Sequence, residues 1–165
     1  MIAGRAFKFG DNISTDHIAP PSYTSVFADN IPELAKHAME YADPTFVSRV
    51  KPGDFVVGGE NFAMGSSREQ APLVLKEIGV RAVLARSVSR IFFRNAINIG
   101  LPILLCDTSN IVDGDNLEVN LETGEIRDIT NGIRISFEPL PRVMLDILNV
   151  GGLIPYVRKH GRFML

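Results

Sequence analysis

Between residues 54 and 106 the chain alternates short apolar runs with segments of helical periodicity. The apolar runs are DFVVG, VRAVLA and LPILLC, and the segments between them are REQAPLVLKEIG and SVSRIFFRNAINIG. Apolar runs without polar alternation are typical of strands buried on both faces, as parallel strands covered by helices are. The pattern therefore predicts a βαβαβ unit, which contains a parallel sheet with right-handed crossovers.

The flanking segments have other patterns. AGRAFKF alternates as a strand does, GDNISTDHIAPPS has the composition of a long loop, and NIPELAKHAMEYA and DPTFVSRV have helical features. After residue 107, NLEVNLETGEIRDI and GIRISFEPL predict antiparallel strands, PRVMLDILNVGG predicts a last helix, and YVRKHGRFML is predicted to be a surface tail.

No repeat or long linker divides the 165 residues, and this length suits one domain with its own core. We therefore expect residues 1–165 to form a single compact layered domain of the α/β class. It should consist of a βαβαβ parallel core and an antiparallel extension.

Charge and hydropathy exclude several kinds of partner. The formal net charge is −2 and the lysines and arginines are scattered, so a nucleic-acid partner is not expected. The amino terminus, MIAGRAFKFG, has no apolar signal segment, and no apolar run approaches the roughly 18 residues of a membrane span. We expect a cytoplasmic protein with no membrane partner.

The metal-binding residue types are few. The single cysteine, Cys106, ends an apolar run, which favours a small buried thiol over a reactive one, and it cannot form a disulfide or a cysteine-ligated cluster within this chain. His17, His37 and His160 lack the short spacings that place two ligands on one metal. We predict no metal site and no cofactor in this chain.

The run GENFAMGSSREQAP, residues 59–72, follows a predicted strand and enters a predicted helix. Open α/β sheets bind ligands at the carboxyl ends of their strands, and the amides of a helix N-terminus favour an anion. Ser66 and Ser67 offer hydroxyls there, and Arg68 offers a planar set of donors that suits a carboxylate or phosphate. The position and chemistry favour a site for a negatively charged group.

A structural explanation competes with this one. Ser66 and Glu69 have the spacing of an S-x-x-E capping box, in which case Arg68 would be an ordinary exposed side chain. Pro72 lacks an amide hydrogen and would clash with the carbonyl four residues back, which predicts a helix that begins no earlier than about Gln70. The serine hydroxyls would then be free.

GENFAMGSSREQAP closely resembles the G-x-N-F-G-x-G-S-S-R-E-[HQ]-A-P signature of the swivelling domain of the aconitase superfamily. GDNISTDHIAP and FFRNAINIGLPIL also resemble that family, in the same order. The resemblance covers nearly the whole chain and is closest to the separate small subunits of isopropylmalate isomerase and homoaconitase. It implies the swivelling-domain fold and the stereospecific removal and re-addition of water on a small hydroxy di- or tricarboxylic acid.

The resemblance also implies a partner and residue roles. A large partner subunit would hold a [4Fe-4S] cluster through its own cysteines, and one iron would act as a Lewis acid toward the leaving hydroxyl. Ser66 would be the catalytic base, used as an alkoxide that needs cationic neighbours and a helix terminus. Ser67 and Arg68 would bind substrate, and Asp16 matches a catalytic acidic residue. Without the resemblance, Asp16 and His17 would be ordinary loop residues.

The chain departs from the family pattern in two places. Ala63 replaces the usual glycine, which predicts a less strained loop. After IAPP, many relatives have a Tyr-Leu-Arg-type segment whose variation follows substrate choice, whereas this chain has Tyr23, Thr24, Ser25 and Val26. The missing arginine favours a substrate with an apolar branch, such as isopropylmalate or a methylated malate. The alternative is a surface loop without a role in selectivity.

The predicted function is therefore the small subunit of a hydro-lyase that isomerises isopropylmalate in leucine biosynthesis and is active only with its large subunit. The alternatives within the family are the small subunits of homoaconitase and of a dimethylmalate dehydratase. Outside it, the chain could be a stand-alone anion-binding module or a non-catalytic scaffold subunit. GGENFAMGSS lacks the Walker ending and the G-x-G-x-x-G spacing, so nucleotide binding is not favoured.

Overall fold

The computed structural model describes residues 1–161. The strands are β1 (Ile2–Lys8), β2 (Phe55–Val57), β3 (Ala82–Ala85), β4 (Ile103–Leu105), β5 (Asn116–Asn120), β6 (Glu125–Asp128) and β7 (Ile133–Ser136). The helices are α1 (Thr15–Ile18), α2 (Pro21–Thr24), α3 (Ile31–Ala35), α4 (Phe46–Arg49), α5 (Gln70–Glu77), α6 (Arg90–Asn98), α7 (Arg142–Asn149) and α8 (Leu153–His160). None of the helices described here is long and apolar enough to cross a membrane.

All the strands belong to one seven-stranded sheet with the order β4-β3-β2-β1-β5-β6-β7. The first four strands of the chain pair in parallel, and β5 to β7 pair antiparallel. The predicted βαβαβ unit is confirmed as β2-α5-β3-α6-β4, because its strands are parallel neighbours and its helices pack over them. The predicted class, an α/β layered structure with a parallel core and an antiparallel extension, is confirmed.

Two hydrophobic cores lie on opposite faces of the parallel strands. One core contains Val56 and Val83 from the strands together with side chains of α3, α5 and α6. The other contains Phe55 and Leu84 together with inward-facing side chains of β5 and β6. An isolated bridge between Cys106 and Phe137 joins the β4 side of the sheet to the β7 side. The sheet therefore curls around the second core.

Strand β1 changes partner halfway along its length. Its residues 2–5 pair with β5, whereas Ala6 to Lys8 pair with β2. At the change, the Asp54 carboxylate accepts the amides of Arg5 at 3.0 Å and Lys51 at 2.8 Å. The carboxylate thus satisfies backbone donors that the sheet leaves unpaired.

The predicted long loop after β1 contains two short helices, α1 and α2, and this is a correction. Ser14 caps α1 because its hydroxyl accepts the His17 amide at 3.3 Å, while the His17 Nδ1 accepts the Ser14 amide at 3.0 Å. Pro21 is the first residue of α2, where its fixed φ suits a helix. The start of α1 is hard to predict from sequence, because the residue at N3 of this capping box is His17 rather than the usual Glu or Gln.

The helix predicted over residues 30–42 ends at Ala35, and the shorter one predicted over 43–50 is reduced to α4. Met39 is fully buried, has a φ of 62°, and donates its amide to the Ile18 carbonyl at 3.0 Å. A tertiary contact therefore replaces the helical hydrogen bond at this residue, which local periodicity could not indicate.

The predicted surface tail over residues 156–165 is wrong for its first part. Residues 156–160 complete α8, and Tyr156 is 1% exposed beside Ile97 and Ile147. The rest of the predicted tail, residues 162–165, lies outside the described residues.

Candidate active site

Three segments of the chain meet at the carboxyl ends of the parallel strands. They are the post-β1 segment (residues 9–20), the signature loop (residues 58–69) and the post-β3 loop (residues 86–89). Because β1, β2 and β3 are parallel neighbours, their carboxyl ends lie at one edge of the sheet. The sequence prediction that the signature run follows a strand and faces this edge is confirmed.

Backbone hydrogen bonds hold the post-β1 segment against the signature loop. The Thr15 amide donates to the Met64 carbonyl at 2.9 Å, and the Met64 amide donates to the Ile13 carbonyl at 3.3 Å. Farther along, the Asn61 side-chain amide donates to Asn12 Oδ1 at 3.0 Å. The two segments therefore run side by side as a short extension of the sheet.

Arg86 joins all three segments through charge. Its guanidinium is 2.9 Å from Asp11 Oδ1 and 3.6 Å from Glu60 Oε1, and the Ser87 hydroxyl donates to Glu60 at 2.7 Å. The hydrogen bond from the Glu60 amide and the Arg86 guanidinium lower the pKa of Asp11, and Asp11 in turn raises the pKa of Arg86. The sequence analysis missed this cluster, although Asp11, Glu60 and Arg86 all lie within three residues of the ends of β1, β2 and β3.

The signature serines do not form the capping box that the sequence allowed. Helix α5 begins at Gln70, as Pro72 predicted. Its N-cap residue is Glu69, and no side-chain hydrogen bond caps the helix there. Ser66 and Ser67 are exposed, and within residues 1–161 neither hydroxyl has a hydrogen bond. The structural explanation for Ser66 is therefore wrong, and both hydroxyls are free to contact a ligand.

Arg68 is held by three different contacts rather than lying free in solvent. Its Nη2 is 3.0 Å from Asp16 Oδ1, and its Nη1 donates to the Ala19 carbonyl at 3.1 Å and to Thr24 Oγ1 at 3.4 Å. The structure thus brings together Asp16, Arg68 and one residue of the predicted selectivity segment. Asp16 belongs to α1 and forms an ion pair, so the simple loop alternative for it is wrong.

The Arg68 guanidinium makes no described contact with Ser66, and α5 begins four residues beyond that serine. The cationic neighbour and helix terminus that an alkoxide at Ser66 would need are therefore near it in sequence but not in contact with it within residues 1–161.

The backbone of the signature loop is strained, contrary to the sequence expectation for Ala63. Ala63 has a φ of 57°, Asn61 has 56°, and Gly65 has 101°. A side chain makes this left-handed region unfavourable by about 1 kcal/mol or more. A glycine, as in the family signature, would be unstrained at this φ, so an alanine at position 63 increases the strain in this loop rather than relieving it.

Thr15 lies beneath the signature loop with an unsatisfied hydroxyl. Its side chain is 2% exposed, and among residues 1–161 its Oγ1 is the one buried side-chain polar atom without a hydrogen-bond partner. A Cβ added at Gly65 would lie 3.6 Å from this oxygen. The sequence analysis missed Thr15 because a buried threonine has no sequence signal of its own.

The predicted selectivity segment, residues 23–26, contains the last two residues of α2, its C-cap Ser25 and the residue that follows. Thr24 faces Arg68, Ser25 donates weakly to the Pro21 carbonyl at 3.4 Å, and Val26 is 69% exposed. Tyr23 lies on the other side, where its ring stacks on His37. The four residues therefore face different surroundings. Thr24 faces Arg68, Ser25 and Val26 face solvent, and Tyr23 faces the protein body.

The described residues do not offer a metal or cluster site. Cys106 is buried, and desolvation raises the pKa of its thiol to about 12, so the thiolate that a metal needs is disfavoured. No group of three or more His, Cys, Asp or Glu side chains in residues 1–161 could hold a metal ion.

Comparisons with known proteins identify the family to which the chain is similar. Residues 11–107, which include the post-β1 segment from Asp11 onward and the signature loop, match the family described as the aconitase C-terminal domain. The chain is 59% identical over 160 residues to 3-isopropylmalate dehydratase small subunit 2 of Archaeoglobus fulgidus, which covers 97% of this chain and 96% of that protein. It is 50% identical over 161 residues to the isopropylmalate/citramalate isomerase small subunit of Methanocaldococcus jannaschii, with 96% and 95% covered.

A solved structure is similar throughout. The crystal structure of 3-isopropylmalate dehydratase from Methanocaldococcus jannaschii has a TM-score of 0.91 and 44% sequence identity to this chain, and the match covers 97% of this chain and 95% of that one. The curled mixed sheet of this chain matches that structure.

Proposed function

The chain belongs to the aconitase C-terminal domain family, among the small subunits of 3-isopropylmalate dehydratase, and we propose that it supplies half of the active site of such a two-subunit hydro-lyase. The observation that carries the proposal is the arrangement of the signature loop. Ser66 and Ser67 present free hydroxyls at the carboxyl edge of the sheet, and Arg68 is held beside them by Asp16. The relatives' names, which specify 3-isopropylmalate dehydratase small subunits, support it.

The residues of this chain would act on the carboxylates and on a proton. Dehydration beside a carboxylate removes a proton from carbon, and the charge that develops needs donors arranged in advance. We assign Ser66 as the group that takes the proton, Ser67 as a donor to the substrate, and Arg68 as a bidentate partner of one substrate carboxylate. Asp16 fixes the plane of the Arg68 guanidinium and is the second catalytic residue in this proposal.

The iron-sulfur cluster would belong to the large partner subunit. This chain has one cysteine, Cys106, and its thiol is buried with a pKa raised to about 12, which does not fit a cluster ligand. The residues of this chain would therefore act beside the cluster and not as its ligands. The small subunit would be colourless and free of iron when purified alone.

The substrate in this proposal is a malate with an apolar substituent. The segment from Tyr23 to Val26 contains no cation that could pair with a distal carboxylate, and an unpaired carboxylate is costly to bury. 2-Isopropylmalate, converted to 3-isopropylmalate in leucine biosynthesis, is the first candidate. Citramalate, a methyl-substituted malate, is the second, because one relative is named an isopropylmalate/citramalate isomerase.

Reconstitution with a cluster-bearing large subunit tests the proposal. The complex should interconvert the two isopropylmalates, and the chain alone should be inactive. Ser66→Ala should lower kcat by roughly 10²- to 10⁴-fold with little change in KM, because the hydroxyl acts in proton transfer rather than in uniform binding. Ser48→Ala, which alters an exposed serine of α4, is the matched control and should leave both constants unchanged.

The same measurement separates the alternatives. A stand-alone anion-binding module would bind dicarboxylates without the large subunit and would not catalyse dehydration. A scaffold subunit would restore activity to the large subunit even with Ser66→Ala. Either result would overturn the assignment of Ser66 as the catalytic base.

A further inference from the structure

Neighbouring residues of α2 contact two different parts of the molecule. Tyr23 extends toward the segment that follows α3, whereas Thr24 extends toward Arg68 in the active site. A helix of four residues has little internal freedom once both contacts are made. A displacement at one contact is therefore transmitted to the other.

The contact at Tyr23 is a compact cluster with His37 and Glu40. The Tyr23 and His37 rings stack with centroids 3.6 Å apart and an interplanar angle of 8°. The Tyr23 hydroxyl donates to Glu40 Oε1 at 3.2 Å, and His37 Nδ1 lies 2.6 Å from Glu40 Oε2. One carboxylate therefore fixes both stacked rings, each through a different oxygen.

Further contacts tie the cluster to the protein body. The Phe27 ring is parallel to His37 at 6.3 Å, and Tyr23 and Phe27 both pack against the main hydrophobic core. Next to the cluster, the Ser22 hydroxyl lies 2.9 Å from the Tyr41 hydroxyl. The buried Met39, with its positive φ, forms the turn that carries His37 and Glu40 to this place. The turn that interrupts the predicted helix thus builds the support for α2.

The contact at Thr24 reaches the substrate-binding arginine. Thr24 Oγ1 accepts a hydrogen bond from Arg68 Nη1 at 3.4 Å, and the same nitrogen donates to the Ala19 carbonyl just before α2. Helix α2 therefore supplies, through Thr24, one of the three contacts that hold the Arg68 guanidinium, and the exposed residues Ser25 and Val26 follow directly after that contact.

We propose that His37 and Glu40 are positioning residues for substrate selectivity, which act through α2 on Arg68 and on the space beside it. The inference rests on the proposed hydro-lyase function. Neither residue touches the reacting atoms, and the sequence analysis assigned no role to Glu40. A partly exposed carboxylate–histidine pair adds little stability by itself, so the ordering of Tyr23 is the main consequence of the Glu40 contacts.

The test uses the reconstituted two-subunit enzyme and two malates that differ only in an isopropyl or a methyl substituent. Glu40→Ala removes the acceptor for both rings, whereas Glu40→Gln keeps an oxygen that can accept from Tyr23 and an amide that can donate to a neutral His37. Glu33→Ala is the matched control, because Glu33 forms a similar i,i+3 pair with Lys36 at 2.6 Å on the exposed face of the same region.

We expect Glu40→Ala to change the ratio of kcat/KM for the two malates by about two- to thirtyfold, mainly through KM, the range usual for residues coupled to a site without touching it. Glu40→Gln should restore most of the ratio, and Glu33→Ala should leave it unchanged. Thermal midpoints measured for each variant separate this effect from loss of folding.

The outcomes distinguish failure of the proposed function from failure of the positioning role of His37 and Glu40. If the wild-type complex converts neither malate, the proposed function fails. If the wild type is active and folded Glu40→Ala retains its substrate ratio, or changes it no more than Glu33→Ala does, the positioning role is refuted while the function stands. A Glu40→Gln variant as altered as Glu40→Ala would also refute it, because retained hydrogen bonds would then have no effect.

Discussion

Arg68 connects parts of the site that are distant in sequence. Its guanidinium contacts Asp16 of α1, the Ala19 carbonyl and Thr24 of α2, so one side chain links the signature loop to both short helices. These three contacts use two nitrogen atoms of a planar group, Nη2 toward Asp16 and Nη1 toward both Ala19 and Thr24, and a lysine ammonium cannot reproduce them.

Replacing Arg68 with lysine should therefore be nearly as damaging as replacing it with alanine. We expect kcat/KM of the reconstituted enzyme to fall by roughly 10²-fold or more in both variants, because the bidentate carboxylate contact and the link to Thr24 are lost together. Arg134→Lys, at an exposed arginine of β7, is the control and should be neutral. A fully active Arg68→Lys enzyme would mean that only the charge matters.

Ala63 tests whether the strain in the signature loop is real. Ala63→Gly should raise the free energy of unfolding by about 1 kcal/mol, because glycine adopts a φ of 57° without steric penalty. Ala28→Gly, at an exposed alanine that is not in the left-handed region, should instead be neutral or slightly destabilising. Equal effects of the two substitutions in denaturant titrations would show that Ala63 is unstrained.

At the scale of elements, local pattern predicted α5, α6 and α7 and the strands they adjoin, because each has its own hydrophobic periodicity or turn signals. It did not predict α1, α2 or the early end of α3. Those depend on contacts between distant residues, such as the Met39 amide with the Ile18 carbonyl. The functional motif was visible in the sequence, whereas the cluster that supports α2 was not, since Tyr23 and Glu40 meet only after folding.

Ser25 is the residue of the α2 region at which a substitution should change the substrate preference. It is exposed at the C-cap of α2, one residue beyond the contact with Arg68. Ser25→Arg should raise kcat/KM for substrates with a distal carboxylate, such as homoaconitate, by about ten- to a hundredfold relative to an isopropyl-substituted one, because one charge-assisted hydrogen bond contributes roughly 1.5 to 3 kcal/mol.

Ala28→Arg provides the matched control for Ser25→Arg, since it adds the same charge at an exposed residue outside α2. An unchanged substrate ratio in the Ser25→Arg enzyme would show that α2 does not face the distal group of the substrate. The preference for an apolar substituent would then lose its structural basis.

At the scale of the whole molecule, the site lies on a sheet with a parallel half and an antiparallel half. Each half could be predicted from the sequence, but the pairing that joins them could not. The sequence contains the hydrophobic patterns of both parallel and antiparallel strands. No local pattern indicates that β1 pairs with both halves or that Cys106 forms a bridge with Phe137. The signature loop lies at the carboxyl edge of the parallel half, whereas α7 and α8 pack against α6 in a separate small core.

The α7–α8 layer should contribute stability without contributing to catalysis. Tyr156 is buried against Ile97 and Ile147, so Tyr156→Ala should lower the free energy of unfolding by about 3 kcal/mol or more, as large-to-small changes of buried aromatic residues do. Val157→Ala, on the partly exposed face of the same helix, should cost less than about 1 kcal/mol. At a temperature where both variants are folded, kcat and the substrate ratio of the reconstituted enzyme should match the wild type, because the layer packs on α6 rather than on the signature loop. A fall in kcat for folded Tyr156→Ala would show instead that α6 transmits the packing of this layer to the carboxyl edge.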